Sequence, residues 1–193
     1  VNPMITLATV PNYTQMAAGG MIATVKIISY GVPYVALERA CDLGRGAVNV
    51  AVPVFDNAGL IITDIPGGPG VRGADAIEAR LQALGIVLHS KVIVQHRVAP
   101  LAEAISECNA DMILILTGSA TSDAMDVAPE ALRAAGGEVT RFGMPVDPGN
   151  LLFIGDLDGR SVIGLPGCAR SPALNGADKV LSRVLCGVPV SSA

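Results

Sequence analysis

Between Leu114 and Val127 an apolar run, Leu114-Ile115-Leu116, empties into Thr117-Gly118-Ser119-Ala120-Thr121-Ser122-Asp123-Ala124-Met125-Asp126. This mixture suits an anion. At a strand-to-helix junction the first backbone N–H groups lack intrahelical partners, and the helix end adds partial positive charge. Thr117, Ser119, Thr121 and Ser122 contribute hydroxyl donors, and Gly118 lets the backbone come close to a ligand. The two carboxylates have competing uses. Asp123 either holds a hydrated Mg2+ or faces solvent. Asp126 is either a ligand contact or the N-cap of the helix that opens at Val127, with Pro129 tolerated in its first turn.

Two further loops carry usable residues. Gly68-Pro69-Gly70-Val71-Arg72-Gly73 has the spacing of a dinucleotide-binding fingerprint between a strand and a helix. The acidic residue that should hold a ribose about 20 positions on is replaced by His89-Ser90-Lys91-Val92-Ile93-Val94. The proline also removes a phosphate-facing N–H. A loop closing over some other phosphate is the better reading, with a dinucleotide-dependent enzyme as the alternative. The third loop is Leu165-Pro166-Gly167 followed by Arg170 ahead of a helix, a pairing that can hold an anion or simply make a sharp turn.

A chain of 193 residues suffices for one ample domain, or one domain with a small appendage. The chain is 51% hydrophobic with three Phe, three Tyr and no Trp, so its core is aliphatic. Net charge is −4 and the basic residues do not cluster, which argues against a nucleic-acid surface. No apolar run approaches the ~20 residues of a membrane span. Val1-Asn2-Pro3 has neither an initiator Met nor a signal-peptide pattern and reads as a trimmed chain or a piece of a longer protein. Cys41, Cys108, Cys168 and Cys186 stand far apart, without zinc or disulfide spacing, as expected of reduced thiols in a cytoplasmic protein. His89 and His96 receive no catalytic role.

The elements that must position these loops emerge from periodicity. Residues 1–54 are expected to form an N-terminal extension or small β-rich unit, with a strand over Met21–Ile28 and a helix over Val35–Leu43 after Pro33. From Leu60 onward strands alternate with helices: Leu60–Thr63, helix Ala74–Leu84 stopped by Gly85, Ile86–Val94, helix Ala99–Glu107, Asp111–Leu116, helix Val127–Ala135. This implies an α/β fold with a mostly parallel sheet covered on both faces, a three-layer sandwich over residues 55–193. Asn150–Leu157 and Ser161–Leu165, joined by Asp158-Gly159, form a late hairpin. A last helix is placed over Ser171–Leu185, with Ser171 as N-cap and Pro172 in the first position.

Taken together, three features resemble the molybdopterin-binding domain of molybdenum cofactor biosynthesis. They are Thr117 to Asp126, Gly136-Gly137-Glu138-Val139, and Leu165-Pro166-Gly167. The runs Gly143-Met144-Pro145-Val146-Asp147-Pro148-Gly149-Asn150-Leu151-Leu152 and Leu165 to Pro172, with Ala23 to Ile28, are similar to the variant of this domain fused to molybdenum-cofactor nucleotidyltransferases. In four places the chain departs from the pattern. Ser119 stands for a glycine, Ala120-Thr121 for Thr-Gly, Ala124-Met125 for a basic pair, and His96-Arg97 for an acidic position.

The resemblance implies a homo-oligomeric binder of molybdopterin or its nucleotide form, serving as a module beside a fused or associated nucleotidyltransferase. The pterin's phosphate would rest on the N–H groups and hydroxyls of Thr117, Gly118, Ser119, Thr121 and Ser122, with Gly167 and Arg170 as a second anchor, and Asp123 and Pro166 would complete the cofactor-binding set. Asp126 would be the Mg2+ partner, the acceptor for pterin N–H groups, or the catalytic carboxylate. The alternative is a Mg2+-dependent nucleotidyltransferase in its own right, chemistry that needs carboxylates and metal around the transferred phosphate.

Overall fold

The structure is a computed structural model that describes residues 2–190. It divides into two compact units, Val1–Ala51 and Val52–Ala193. In the first, strand β1 (Ile5–Thr9) pairs antiparallel with β2 (Ala23–Ile27), Leu7 opposite Val25, and helix α1 (Tyr34–Gly44) follows. The expected helix is there, with Pro33 one position earlier, at the N-cap. No residue of α1 is buried.

The second unit carries the alternating pattern. Its elements are β3 (Asn57–Asp64), α2 (Ala74–Gln82), β4 (Val87–Gln95), α3 (Val98–Glu107), β5 (Met112–Leu116), α4 (Val127–Ala134), β6 (Glu138–Phe142), β7 (Phe153–Leu157), β8 (Arg160–Leu165) and α5 (Gly176–Leu185). The sheet order is β4-β3-β5-β8-β7-β6. The first four strands run parallel; β7 is antiparallel to both β8 and β6. The α/β reading with a mostly parallel sheet therefore describes the molecule.

Alternation along the strands explains the three layers. On one face, Leu60 and Ile62 of β3 and Met112, Leu114 and Leu116 of β5 meet Ile77 and Leu81 of α2 and Val180 and Leu181 of α5. On the other, Ile61, Ile113, Ile115 and Val162 meet Leu101 and Ile105 of α3 and Ala131 and Leu132 of α4. A strand buried on both faces must be apolar at every position, as β5 is. Each such Leu or Ile contributes about 1.5–3 kcal/mol, which is why the middle of the sheet fixes the register.

Two expectations need correction. The last helix starts at Gly176, not near Ser171: Gly167–Arg170 is a 3-10 turn, and Asn175 caps α5 in a capping box with Asp178. The physical reason is Arg80 of α2. It donates to the carbonyls of Ala169 (2.8 Å) and Ser171 (2.7 Å) and pairs with Asp178, so this stretch is held extended across α2. Strand β6 was not expected, and the hairpin's first strand begins at Phe153, later than Asn150. Among the described residues no helix is long and apolar enough to cross a membrane.

Candidate functional site

Parallel strands ending together bring their following loops to one edge. At this carboxyl edge lie Thr63 and Asp64 of β3, His96 after β4, Thr117 after β5, and Pro166 after β8. Arg170 joins three of the loops. Its Nη1 donates to the carbonyls of Gly70 (2.9 Å) and Arg72, and its Nη2 to that of Thr117 (2.9 Å). Gly73, at φ 82°, completes the joint: a Cβ there would lie 2.5 Å from Arg170 Cα. Burial, followed by the neighbouring Arg72 charge, lowers the basicity of Arg170, and Asp64 partly restores it. Arg170 is therefore turned toward main chain within the protein.

The Thr117–Asp126 loop is arranged with equal economy. Thr117 is buried, and its hydroxyl donates to the Ser119 carbonyl (2.5 Å); the Thr121 hydroxyl lies 3.4 Å away. The Gly118 N–H donates to Thr63 Oγ1 (2.9 Å). The close approach that Gly118 permits is to β3, since a Cβ would stand 2.7 Å from the Thr63 carbonyl oxygen. Asp126 occupies the N-cap position of α4, yet its side chain does not cap the helix. It turns back instead, and Oδ2 accepts the N–H groups of Ser122 (2.8 Å) and Asp123 (3.3 Å). Asp123 Oδ1 accepts from Met125 N–H (2.7 Å). Arg133 of α4 donates to the Ala124 carbonyl (2.8 Å).

Three successive amides are left over: no acceptor in the chain meets the N–H groups of Ser119, Ala120 or Thr121 among the described residues. Ser119 and Ala120 are exposed. Thr121 is buried. Consecutive amides without internal acceptors, in a loop that leads into a helix, are suited to phosphate oxygens. Pro166 accepts the Ala169 N–H (2.9 Å) to close the 3-10 turn, and a Cβ at Gly167 would meet open space. Of the expected residues, the loop from Thr117 to Asp126 and the Pro166–Arg170 turn are thus brought together through the Arg170–Thr117 bond. Among the described residues no three His, Cys, Asp or Glu side chains converge, and Asp126 Oδ2 and Asp123 Oδ1 each accept loop N–H groups.

Sequence reasoning passed over Thr63 and His96. Thr63 is fully buried, accepts the Gly118 N–H, and shares a 2.8 Å hydrogen bond with His96 Nδ1. The hydroxyl can donate to a bare Nδ1 or accept from Nδ1–H while keeping the Gly118 N–H, so the direction of this bond follows the ring tautomer. Burial lowers the His96 pKa, while the Asp126 charge raises it. A hydroxyl closing the apolar run Leu60-Ile61-Ile62 was the available signal.

A cavity of about 690 Å³ opens at the opposite, amino edge, lined by Asn57, His89, Asp111 and Arg160 among others. Of its two carboxylates, Asp56 and Asp111, the second is already committed. Asp111 Oδ2 accepts Asp56 N–H, Asn57 N–H and Asn57 Nδ2, and Asp111 N–H donates back to Asn57 Oδ1. That arrangement clasps β3 to β5, and the carboxyl edge keeps the better claim to ligand chemistry.

Comparison with known proteins identifies a family. The family described as "Probable molybdopterin binding domain" matches residues 72–185, more than half of the chain and the whole stretch from Thr117 to Arg170. No curated protein matches. Among solved structures, the molybdopterin biosynthesis moea protein from Pyrococcus horikosii is similar at 21% identity and a TM-score of 0.48, over 70% of this chain and 34% of that one. The chain spans about a third of that protein's length. By the family match, with its loops gathered at the carboxyl edge of a mostly parallel sheet, this chain belongs to the family of probable molybdopterin-binding domains.

Proposed function

We propose that the chain binds molybdopterin, or its nucleotide form, as a non-catalytic module in molybdenum cofactor biosynthesis. The terminal phosphate rests on the amides of Ser119, Ala120 and Thr121, and the pterin lies over the carboxyl edge toward Pro166 and Gly167. What supports the reading is the row of three amides without acceptors, inside the region matched by the family. Asp126 serves by shaping the loop through Ser122 and Asp123. Residues 55–193 form the binding domain and residues 1–54 an extension. The module works as a homo-oligomer beside a nucleotidyltransferase domain.

Two measurements test this. Mass spectrometry of the purified protein should find co-purifying pterin species, and anaerobic calorimetry should give saturable molybdopterin binding. Asp126→Ala frees two loop amides from their charged acceptor, each hydrogen bond to a charged group being worth about 1.5–3 kcal/mol. Binding should weaken about tenfold or more in a variant that still folds. Unchanged affinity removes Asp126 from the site. Pyrophosphate release from ATP or CTP with molybdopterin and Mg2+ would replace the module reading with a transferase.

A further inference from the structure

The phosphate site described above has no side-chain cation of its own. Residues Thr117 to Asp126 include no Lys or Arg, and two of them are aspartates. Nearby guanidinium groups are engaged within the protein: Arg170 with the carbonyls of Gly70, Arg72 and Thr117, Arg133 with the Ala124 carbonyl and the Glu130 carboxylate, and Arg72 through Nε with the Pro69 carbonyl. His96 is placed differently. A single hydroxyl, that of Thr63, stands between its Nδ1 and the Gly118 amide, so the ring sits beside the start of the loop. Of the charged side chains on the elements around it (Asp64 of β3, Arg97 after β4, Asp123 and Asp126 ahead of α4), Asp126 is the one that acts on its charge. Arg97 is engaged with Gln95.

We propose that His96 is a binding residue of this site: its imidazole takes up one proton from solvent when a phosphate monoester settles on the amides of Ser119 to Thr121, and the imidazolium offsets the ligand's charge. The inference rests on the proposed function and adds a proton to it. In the free protein the neutral ring shares the Nδ1–Thr63 hydrogen bond in the direction its tautomer sets. After uptake Nδ1–H donates to Thr63 Oγ1, which has two lone pairs and keeps the Gly118 N–H as well. Burial and Asp126 oppose one another at the ring, so a second anion beside it tips the balance toward the charged form.

The test uses the whole chain. Sulfate, whose charge is constant between pH 5 and 8, is titrated while the ring nitrogens of His96 are followed by NMR. Its midpoint should rise by about one pH unit, equivalent to about tenfold tighter sulfate binding by the protonated form. In calorimetry, molybdopterin should favour pH 6 over pH 8 by about tenfold more in the wild type than in His96→Gln, the difference cancelling the ligand's own titration. Glutamine still reaches Thr63, and a thermal melt checks its fold. If molybdopterin binds but the two proteins share one pH dependence and sulfate leaves the midpoint in place, the His96 inference is overturned and the binding reading stands. If molybdopterin does not bind at any pH, the binding reading falls. The sulfate titration then decides His96 alone: a raised midpoint supports it, an unmoved one overturns it.

Discussion

Replacing Arg170 by alanine removes the fastener of three loops, and the cost can be worked out from its bonds. Three carbonyls lose a charged donor: Gly70 and Thr117, where the bond is part-buried, and Arg72, where it is exposed. Hydrogen bonds to charged groups contribute about 1.5–3 kcal/mol, so the two part-buried ones at the low end give about 3 kcal/mol and the exposed one nearly nothing. The guanidinium already bears a desolvation cost, which brings the expected loss to about 2–3 kcal/mol. With a urea m-value of about 2 kcal/mol/M, the midpoint should fall by about 1–1.5 M with m unchanged. Arg170→Lys should recover less than half, because an ammonium is a point charge and cannot fork to three acceptors. Far-UV circular dichroism is the suitable probe. The chain has no Trp and all three tyrosines lie in Val1–Ala51, so tyrosine emission follows that unit and serves as an internal control. A midpoint within about 0.2 M of wild type for Arg170→Ala would refute the reasoning.

Other consequences of the same geometry are open to measurement. Gly118→Ala sets a methyl group 2.7 Å from the Thr63 carbonyl oxygen; a backbone shift costing about 1–3 kcal/mol should lower the melting temperature by several degrees, and an unchanged melt would show the contact to be soft. Thr63→Val keeps the shape but orphans the Gly118 N–H, for a loss of about 1–3 kcal/mol that Thr63→Ser should largely restore; equal stability of the two variants in denaturant titration would count against the hydroxyl's role. His96 has a folded pKa below its ordinary 6.5, so the folded state binds fewer protons than the unfolded chain. Its contribution to stability is present above about pH 6.5 and is lost as pH falls through 6.5 toward the folded value. His96→Gln should flatten that part of the stability profile, and a profile identical to wild type would remove His96 as its source.

The parts of the fold that were legible in the sequence are those governed by local pattern. Leu60-Ile61-Ile62 and Met112 to Leu116 are apolar at each position because both faces of the sheet are covered, and helices α2 and α4 stop at Gly85 and Gly136. Ser171-Pro172 misled because it is a sound local start signal overruled from a distance by Arg80, 91 positions away in sequence. Asn175 and Asp178, three apart, were the true start and were readable as a reciprocal cap. Strand β6 escaped notice because its pairing with β7 is irregular between Val139 and Arg141. At the candidate site the loop itself was legible, but its fastening was not. The Arg170 bonds span up to 100 positions and the Thr63–Gly118 bond 55, and neither has a signature in the neighbouring residues.

The Arg170 joint divides mutational tolerance unequally between its two sides. Its acceptors are peptide oxygens of Gly70, Arg72 and Thr117, which every amino acid supplies alike. The side chains at those positions can therefore drift without unfastening anything, so long as the chain keeps its path and Gly73 remains bare beneath Arg170. The donor has no such freedom. Remodelling of this rim toward a different guest would be expected to proceed by rewriting the loops around a fixed guanidinium, leaving the anchor as the last residue to change.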